Sequence, residues 1–201
     1  MDGIAEAAAP SFARAQFPAQ ASRTSVAIAL AGSGGSGVMT AGTMLLDAAA
    51  RAGLYGLMVR TSGPQIRGGE AAALVRLADT QVESLDDGFD LLLAIDWQNI
   101  NRFADEIPLR PGSLVIGDAD AGEAPDVFKA ARLLGLPLKK MAKAIPGSWI
   151  NMVALGLAGA LAGIPAAAIE AAVRSTWKKS GEGLEANVAA LRAGREAAQG
   201  I

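Results

Sequence analysis

The chain has 201 residues, of which 51% are apolar and only 4% aromatic, and its formal net charge is −2. That length supports one core of ordinary size, and the charge balance lacks the basic surface that nucleic-acid binding needs. There is no cysteine and no histidine, which excludes disulfides, thiolate chemistry, iron-sulfur ligation, histidine metal sites and every Ser-His or Cys-His catalytic pair.

A core this poor in aromatics is built from Ala, Leu, Ile and Val, with glycines allowing close approach, and that composition favours layered α/β packing. The lack of cysteine is compatible with a cytoplasmic protein, the location expected here. Residues 1–24 carry neither the basic start nor the apolar stretch of a secretory signal and read as a flexible N-terminal extension. Residues 25–201 read as a single α/β domain with a helical C-terminal third.

In chain order, "SVAIALAGSGGSGVMTAGTMLLDAAARAG" opens at Ser25 with an apolar run suited to a buried strand, then a glycine loop, then a helix on which Met44, Leu45 and Ala48 share a face. A second strand, Leu54 to Arg60, follows the helix stop at Gly53, so the first unit reads as βαβ. Glu70 to Asp79 is a third strand. Phe89 to Asp96 is a fourth, acidic only near its ends and suited to burial on both faces. "WQNINRFADEI" reads as a helix, and Ser113 to Asp118 as a fifth strand after the turn dipeptide Pro111-Gly112. Asp120 to Leu138 is expected to give a helix and a short edge strand.

Three helices are expected after that: Trp149 to Ala162, Pro165 to Thr176 and Glu182 to Gln199. No charged residue occurs from Ala144 to Ile169, a stretch long enough to raise the question of a membrane span. Its Gly and Ala content, and the helix stop and start in "GIP" at Gly163 to Pro165, favour two buried helices instead. The whole pattern predicts a three-layer, mostly parallel sheet flanked by helices, Rossmann-like in outline.

The loop "GSGGSG" carries Gly32, Gly34 and Gly37 at the dinucleotide-fingerprint positions, with Gly35 between them, after a strand and before a helix. Backbone N–H groups there attract any phosphate, and equally the glycines serve close packing of helix on sheet. NAD is disfavoured, because the second strand ends in Arg60 and Thr61 where an acid would hold the ribose. Arg60 suits a phosphate on the adenosine ribose, as in NADP or coenzyme A, or a plain surface position, so an independent NADP-binding oxidoreductase is one alternative function and a purely structural adaptor, whose glycine loops serve packing and docking, is another. A P-loop fails because Val38 and Met39 stand where lysine and a hydroxyl are needed.

"TSGPQIRGGE" brings Gly63, Pro64, Arg67, Gly68, Gly69 and Glu70 together at the end of a strand. Arg67 is presented to a phosphate or to a carboxylate of a neighbouring subunit, or else pairs with Glu70 or Asp96 and pins the loop. Asp96 ends the fourth strand, where open α/β sheets place ligand contacts, and it also suits an N-cap. Trp97 and Trp149 are candidates for a subunit interface or for caps on the core. Arg76 sits mid-strand and suits a pair across the sheet edge. Lys139, Lys140 and Lys143 form a solvated basic face or a landing site for an acidic partner or for the phosphates of coenzyme A.

With "GSGGSG", Ala41-Gly42, "GPQIRGGE" and "VRLAD" in this order, the chain resembles the gamma component of the 2-oxoacid:ferredoxin oxidoreductases, the family of the pyruvate, 2-oxoglutarate and indolepyruvate enzymes. The resemblance runs from about Ser25 to the last helix. It is closest to the version fused to the thiamine-binding part of alpha subunits, so the chain is either a separate gamma polypeptide or that part of a larger one.

The resemblance implies a component, not catalytic by itself, of an enzyme that oxidatively decarboxylates a 2-oxoacid to an acyl-CoA and passes the electrons to ferredoxin. It implies alpha and beta partner subunits that carry thiamine diphosphate, magnesium and the iron-sulfur clusters, with coenzyme A contacted by this chain. "GDA" at Gly117 to Ala119 begins a thiamine motif like that of the transketolase group, but no Asn pair follows. The 2-oxoacid pocket of the resembling enzymes lies mainly on other chains, so the residues here do not select a substrate. No catalytic residue, metal ligand or membrane span is expected on this chain.

Overall fold

The computed structural model describes residues 24–63, 69–98, 100–177 and 181–201. Strands β1 (Ser25–Ser33), β2 (Tyr55–Ser62), β3 (Glu70–Ala78), β4 (Phe89–Ala94), β5 (Leu109–Asp118) and β6 (Arg132–Leu136) form one sheet in the order β2-β3-β1-β4-β5-β6. β1, β4, β5 and β6 run parallel, and β3 is antiparallel to both β1 and β2. The mostly parallel α/β class read from the sequence is the observed one. The expected N-terminal extension falls almost wholly outside the described residues.

Helices α1 (Val38–Arg51), α2 (Leu138–Lys143), α3 (Ile150–Leu161), α4 (Ala166–Thr176) and α5 (Glu182–Ala197) all contribute to one apolar cluster with Val26, Ile28 and Leu30 of β1 and Leu91 and Leu93 of β4. The opposite face is lined by Ala27, Ala29 and Ala31 of β1 with Leu92, and is closed by Phe103, Ile107 and Phe128. β4 is buried along its whole length, as its unbroken apolar run requires of a central strand.

Three connections depart from expectation. β2 runs in the same direction as β1, but β3 returns antiparallel and inserts between them, so the first unit is a split βαβ. The segment expected as a helix after Trp97 forms only a 3-10 turn at Ile100–Phe103. Its apolar residues, spaced three and four apart, satisfy the sheet face by capping it with irregular backbone. Between Asp120 and β6 there is likewise only a 3-10 turn, Asp126–Phe128. Gly122 at φ +98° and the extended Pro125 at ψ 147° break any longer helix there.

The charge-free stretch does form two helical segments parted at Gly163 with φ +75°, but only α3 is buried; α4 turns Ile169, Ala172 and Val173 inward and leaves its other residues partly or fully exposed. Among the described residues, no helix is long and apolar enough to cross a membrane. α3 and α5 cross closely because Gly156 and Gly194 face each other's backbones. A Cβ at Gly156 would overlap the Leu191 carbonyl oxygen, and one at Gly194 the Val153 carbonyl oxygen. α4 and α5 are also joined by the forked pairs Arg174–Glu185 and Arg192–Glu170.

Candidate functional site at the carboxyl end of the sheet

The chain leaves β1 toward β2 and leaves β4 toward β5, on opposite sides, so the crevice between the ends of β1 and β4 is the switch point at which open α/β sheets bind ligands. The glycine loop fills it. Asp96 stitches the two strand ends together: its Oδ2 accepts hydrogen bonds from the Ser33 N–H at 3.0 Å and the Ser33 hydroxyl at 2.8 Å. Its Oδ1 accepts from the Gln98 N–H at 3.1 Å. Asp96 therefore holds the loop and turns the next segment, and it caps no α-helix.

Gly32, Gly35 and Gly37 each have a distinct reason. A Cβ at Gly32 would lie 2.8 Å from the Ser36 Oγ and 3.4 Å from Ile95, so a side chain there would displace the Ser36 hydroxyl and crowd the fold of the loop back on β1. Gly35 and Gly37 take φ +94° and +85°, the left-handed region that glycine enters freely. A Cβ at Gly37 would also overlap the Asn151 amide, whose Nδ2 donates to the Gly37 carbonyl at 3.1 Å. Gly34 and Gly35 are exposed, and the Gly34 N–H is bonded to the Gly69 carbonyl.

Gly37 is the N-cap of α1, with no side-chain cap and no acid in the first turn. The intrahelical ladder begins with the Ala41 N–H on the Gly37 carbonyl, so the N–H groups of the first turn point out of the helix. With the helix dipole behind them, they favour an oxyanion. Two buried polar atoms beside this end, the Ser36 Oγ and the Asn151 Oδ1, have no hydrogen-bond partner among the described residues.

Glu70 stands opposite Ser33 in the β1–β3 register and is 3% exposed. Its carboxylate accepts from Arg102 Nη1 at 3.1 and 3.4 Å. The Glu70 carboxyl is held below its usual range by a hydrogen bond with its own backbone, against burial that pushes it up, and then by Arg102. The Gly63 N–H bonds the Glu70 carbonyl at 2.9 Å, and a Cβ at Gly63 would overlap the Glu70 carboxylate.

The structure thus brings Gly32, Gly34, Gly35, Gly37, Gly63, Gly69, Glu70 and Asp96 to one end of the sheet. Pro64, Arg67 and Gly68 lie outside the described residues. The two carboxylates weighed as partners for Arg67 are engaged elsewhere, Glu70 by Arg102 and Asp96 by Ser33 and Gln98. Arg60 is not brought to the loop. It pairs through Ala73 with Leu30, three residues short of Ser33 and about 10 Å across two strand spacings, and its Nη2 donates to the Thr43 hydroxyl at 3.3 Å.

Trp97 is half-buried, its indole resting where a Cβ at Gly117 would be, whereas Trp149 is 62% exposed. Arg76 donates to the Ser84 carbonyl at 3.1 Å, a loop contact in place of a pair across the sheet. Lys140 pairs with Asp120 at 3.1 Å, while Lys139 and Lys143 are exposed. Among the described residues there is no group of three acidic side chains placed to hold a metal.

Sequence reasoning missed Asn151 and Arg102. Asn151 was visible as a polar residue opening an apolar helix, but its partner Gly37 is 114 residues away. Arg102 carries no motif, and its partner Glu70 is 32 residues away.

Comparison with known proteins agrees with the fold. Residues 27–197 match the family model described as pyruvate ferredoxin/flavodoxin oxidoreductase. The chain is 32% identical over 179 residues to the 2-oxoglutarate synthase subunit KorC of Methanothermobacter thermautotrophicus, covering 84% of this chain and 93% of that one. It is similar to a 2-oxoglutarate:ferredoxin oxidoreductase from Magnetococcus marinus solved with 2-oxoglutarate, coenzyme A and succinyl-CoA bound. There the TM-score is 0.78 at 27% identity, over 90% of this chain but only 32% of that one.

A third likeness is to pyruvate oxidoreductase subunit PORC from Thermotoga maritima, with a TM-score of 0.69 at 25% identity over 87% of this chain and 97% of that one. The chain thus spans nearly all of the KorC and PORC subunits and about a third of the Magnetococcus chain. It belongs to the pyruvate ferredoxin/flavodoxin oxidoreductase family, as a component of the gamma type.

Proposed function

We propose that this gamma component, with residues 25–201 as one domain, works in the cytoplasm with alpha and beta subunits in oxidative decarboxylation of a 2-oxoacid to an acyl-CoA, with ferredoxin or a similar carrier taking the electrons. The Gly32–Gly37 loop and the start of α1 receive a phosphate of coenzyme A. The observation that carries this reading is the uncapped N-terminus of α1 behind an exposed glycine loop, set at the switch point of the sheet. Arg67, two residues before the Gly69 whose carbonyl accepts the Gly34 N–H, is assigned to the same coenzyme A path or to the subunit junction. Without cysteine or histidine, the chain does not fit iron-sulfur clusters, and thiamine diphosphate with its magnesium is assigned to the partner chains.

The placement of Arg60 weighs against an independent NADP enzyme, since it is two strands from the loop. The test is made on the assembled complex, following 2-oxoacid oxidation with a low-potential acceptor as coenzyme A is varied. At Gly35 a side chain meets open space, and the backbone strain of its positive φ falls alike on Asp and Asn, the residues other than glycine most often found there, so the pair isolates the charge. Gly35→Asp is expected to raise the KM for coenzyme A roughly tenfold, about 1.4 kcal/mol, with Gly35→Asn much nearer to wild type. Equal KM values for Asp and Asn, or normal turnover by a complex lacking this chain, refute the reading.

A further inference from the structure

Arg102 belongs to no sequence motif, yet it lies one side chain away from the glycine loop. Its partner Glu70 faces Ser33 across the β1–β3 register, and the preceding Gly69 carbonyl accepts the Gly34 N–H. The Glu70 side chain is 2% exposed, whereas that of Arg102 is 48% exposed.

The manner of pairing is informative. Arg192 meets both oxygens of Glu170 with Nε and Nη2, each at 2.7 Å, and Arg174 meets Glu185 with two nitrogens at 2.6 and 3.1 Å. Arg110 divides two nitrogens between Asp86 and Asp90, and Arg51 divides two between Asp47 and Ser175. A guanidinium that only neutralises a carboxylate is best satisfied by such a fork. Arg102 instead places Nη1 alone on both oxygens of Glu70, and its Nε and Nη2 have no partner among the described residues. The buried carboxylate fixes the arginine and leaves its second edge open, as a pre-oriented receptor for an oxyanion requires.

We propose that Arg102 is a binding residue of this site, held by Glu70 with its open edge toward a phosphate of coenzyme A. This rests on the reading of the glycine loop given above. Arg102 belongs to the turn that closes the sheet face opposite α1, so it adds a directional cation from the other side of the strand ends to a loop and helix start that supply only backbone donors.

The test uses the assembled complex and coenzyme A itself. Arg102→Lys keeps a single cation opposite Glu70 but has no second edge. It is expected to raise the KM for coenzyme A roughly 5- to 20-fold, with the KM for the 2-oxoacid unchanged and the loss falling on KM more than on kcat. The double variant Glu70→Gln/Arg102→Gln leaves no buried charge unpaired and is expected to show the same loss. Wild-type KM values for coenzyme A in both variants, or a rise confined to the 2-oxoacid KM, overturn the proposal. If Gly35→Asp raises the coenzyme A KM while these variants do not, the loop reading stands and the role of Arg102 falls. If none of the three changes it, both fall.

Discussion

Replacing Asp96 by alanine removes three hydrogen bonds at once, those from the Ser33 N–H, the Ser33 hydroxyl and the Gln98 N–H. Hydrogen bonds to a charged group contribute about 1.5–3 kcal/mol each when buried. Asp96 is only half-buried, so water replaces part of the loss, and a total of about 2–3 kcal/mol is the reasonable estimate. For a chain of this size that lowers the melting temperature by roughly 4–12 °C.

Asp96→Asn makes a sharper test. An amide oxygen still accepts from both Ser33 donors, but its NH2 then faces the Gln98 N–H, so the loss is about 1 kcal/mol and the fall roughly 2–4 °C. Thermal melts followed by circular dichroism give the ranking. Hydrogen exchange at the Ser33 amide should quicken strongly in the alanine variant and little in the asparagine one. An alanine variant that melts within 1 °C of wild type, or a Ser33 amide equally protected in all three proteins, refutes the idea that Asp96 ties the loop to β4.

Gly156→Val drives a side chain into the Leu191 carbonyl of α5 and should cost about 2–3 kcal/mol, seen as a lower melting temperature or loss of soluble protein. Gly183→Ala, on the same helix with open space around it, should instead gain about 0.4–1 kcal/mol. Glu70, Glu170 and Glu185 all have carboxyls held below their usual range, the first chiefly by its own backbone, the others by Arg192 and Arg174. Protonation therefore favours the unfolded chain: this stabilisation is complete above about pH 4.3 and is lost as pH falls through the lower folded values, which acid titration of the melting temperature checks. Trp149→Ala, at a position 62% exposed, should shift the melting temperature by less than about 1 °C yet reduce co-purification with the partner subunits. Unchanged co-purification removes Trp149 from the interface.

The strands at Ser25, Phe89 and Ser113, the glycine loop and the last three helices were legible because each depends on local pattern. A buried central strand must be an unbroken apolar run, a helix needs apolar residues three and four apart, and a loop that folds back on its strand needs glycine where a Cβ would collide. The gamma-type resemblance was legible for a related reason, since its motifs are short and contiguous.

The insertion of β3 between β1 and β2 was not legible. Strand neighbours are chosen by packing over the whole sheet, and a split βαβ unit reads in sequence just as an unsplit one does. That choice moved Arg60 away from the loop, and no local signal could have shown it. The segment after Trp97 misled for a similar reason: Ile100, Phe103 and Ile107 have helical spacing, but closing the second face of the sheet asks only that these side chains point inward.

The sequence by itself determined the α/β class, the helical C-terminal third and the glycine loop between β1 and α1. Only the tertiary structure decided which charged and polar groups meet there: Ser33 with Asp96, Gly37 with Asn151 and Glu70 with Arg102. Their partners are 63, 114 and 32 residues apart, and contacts at such separations exist only once the sheet order has set which strand ends stand side by side.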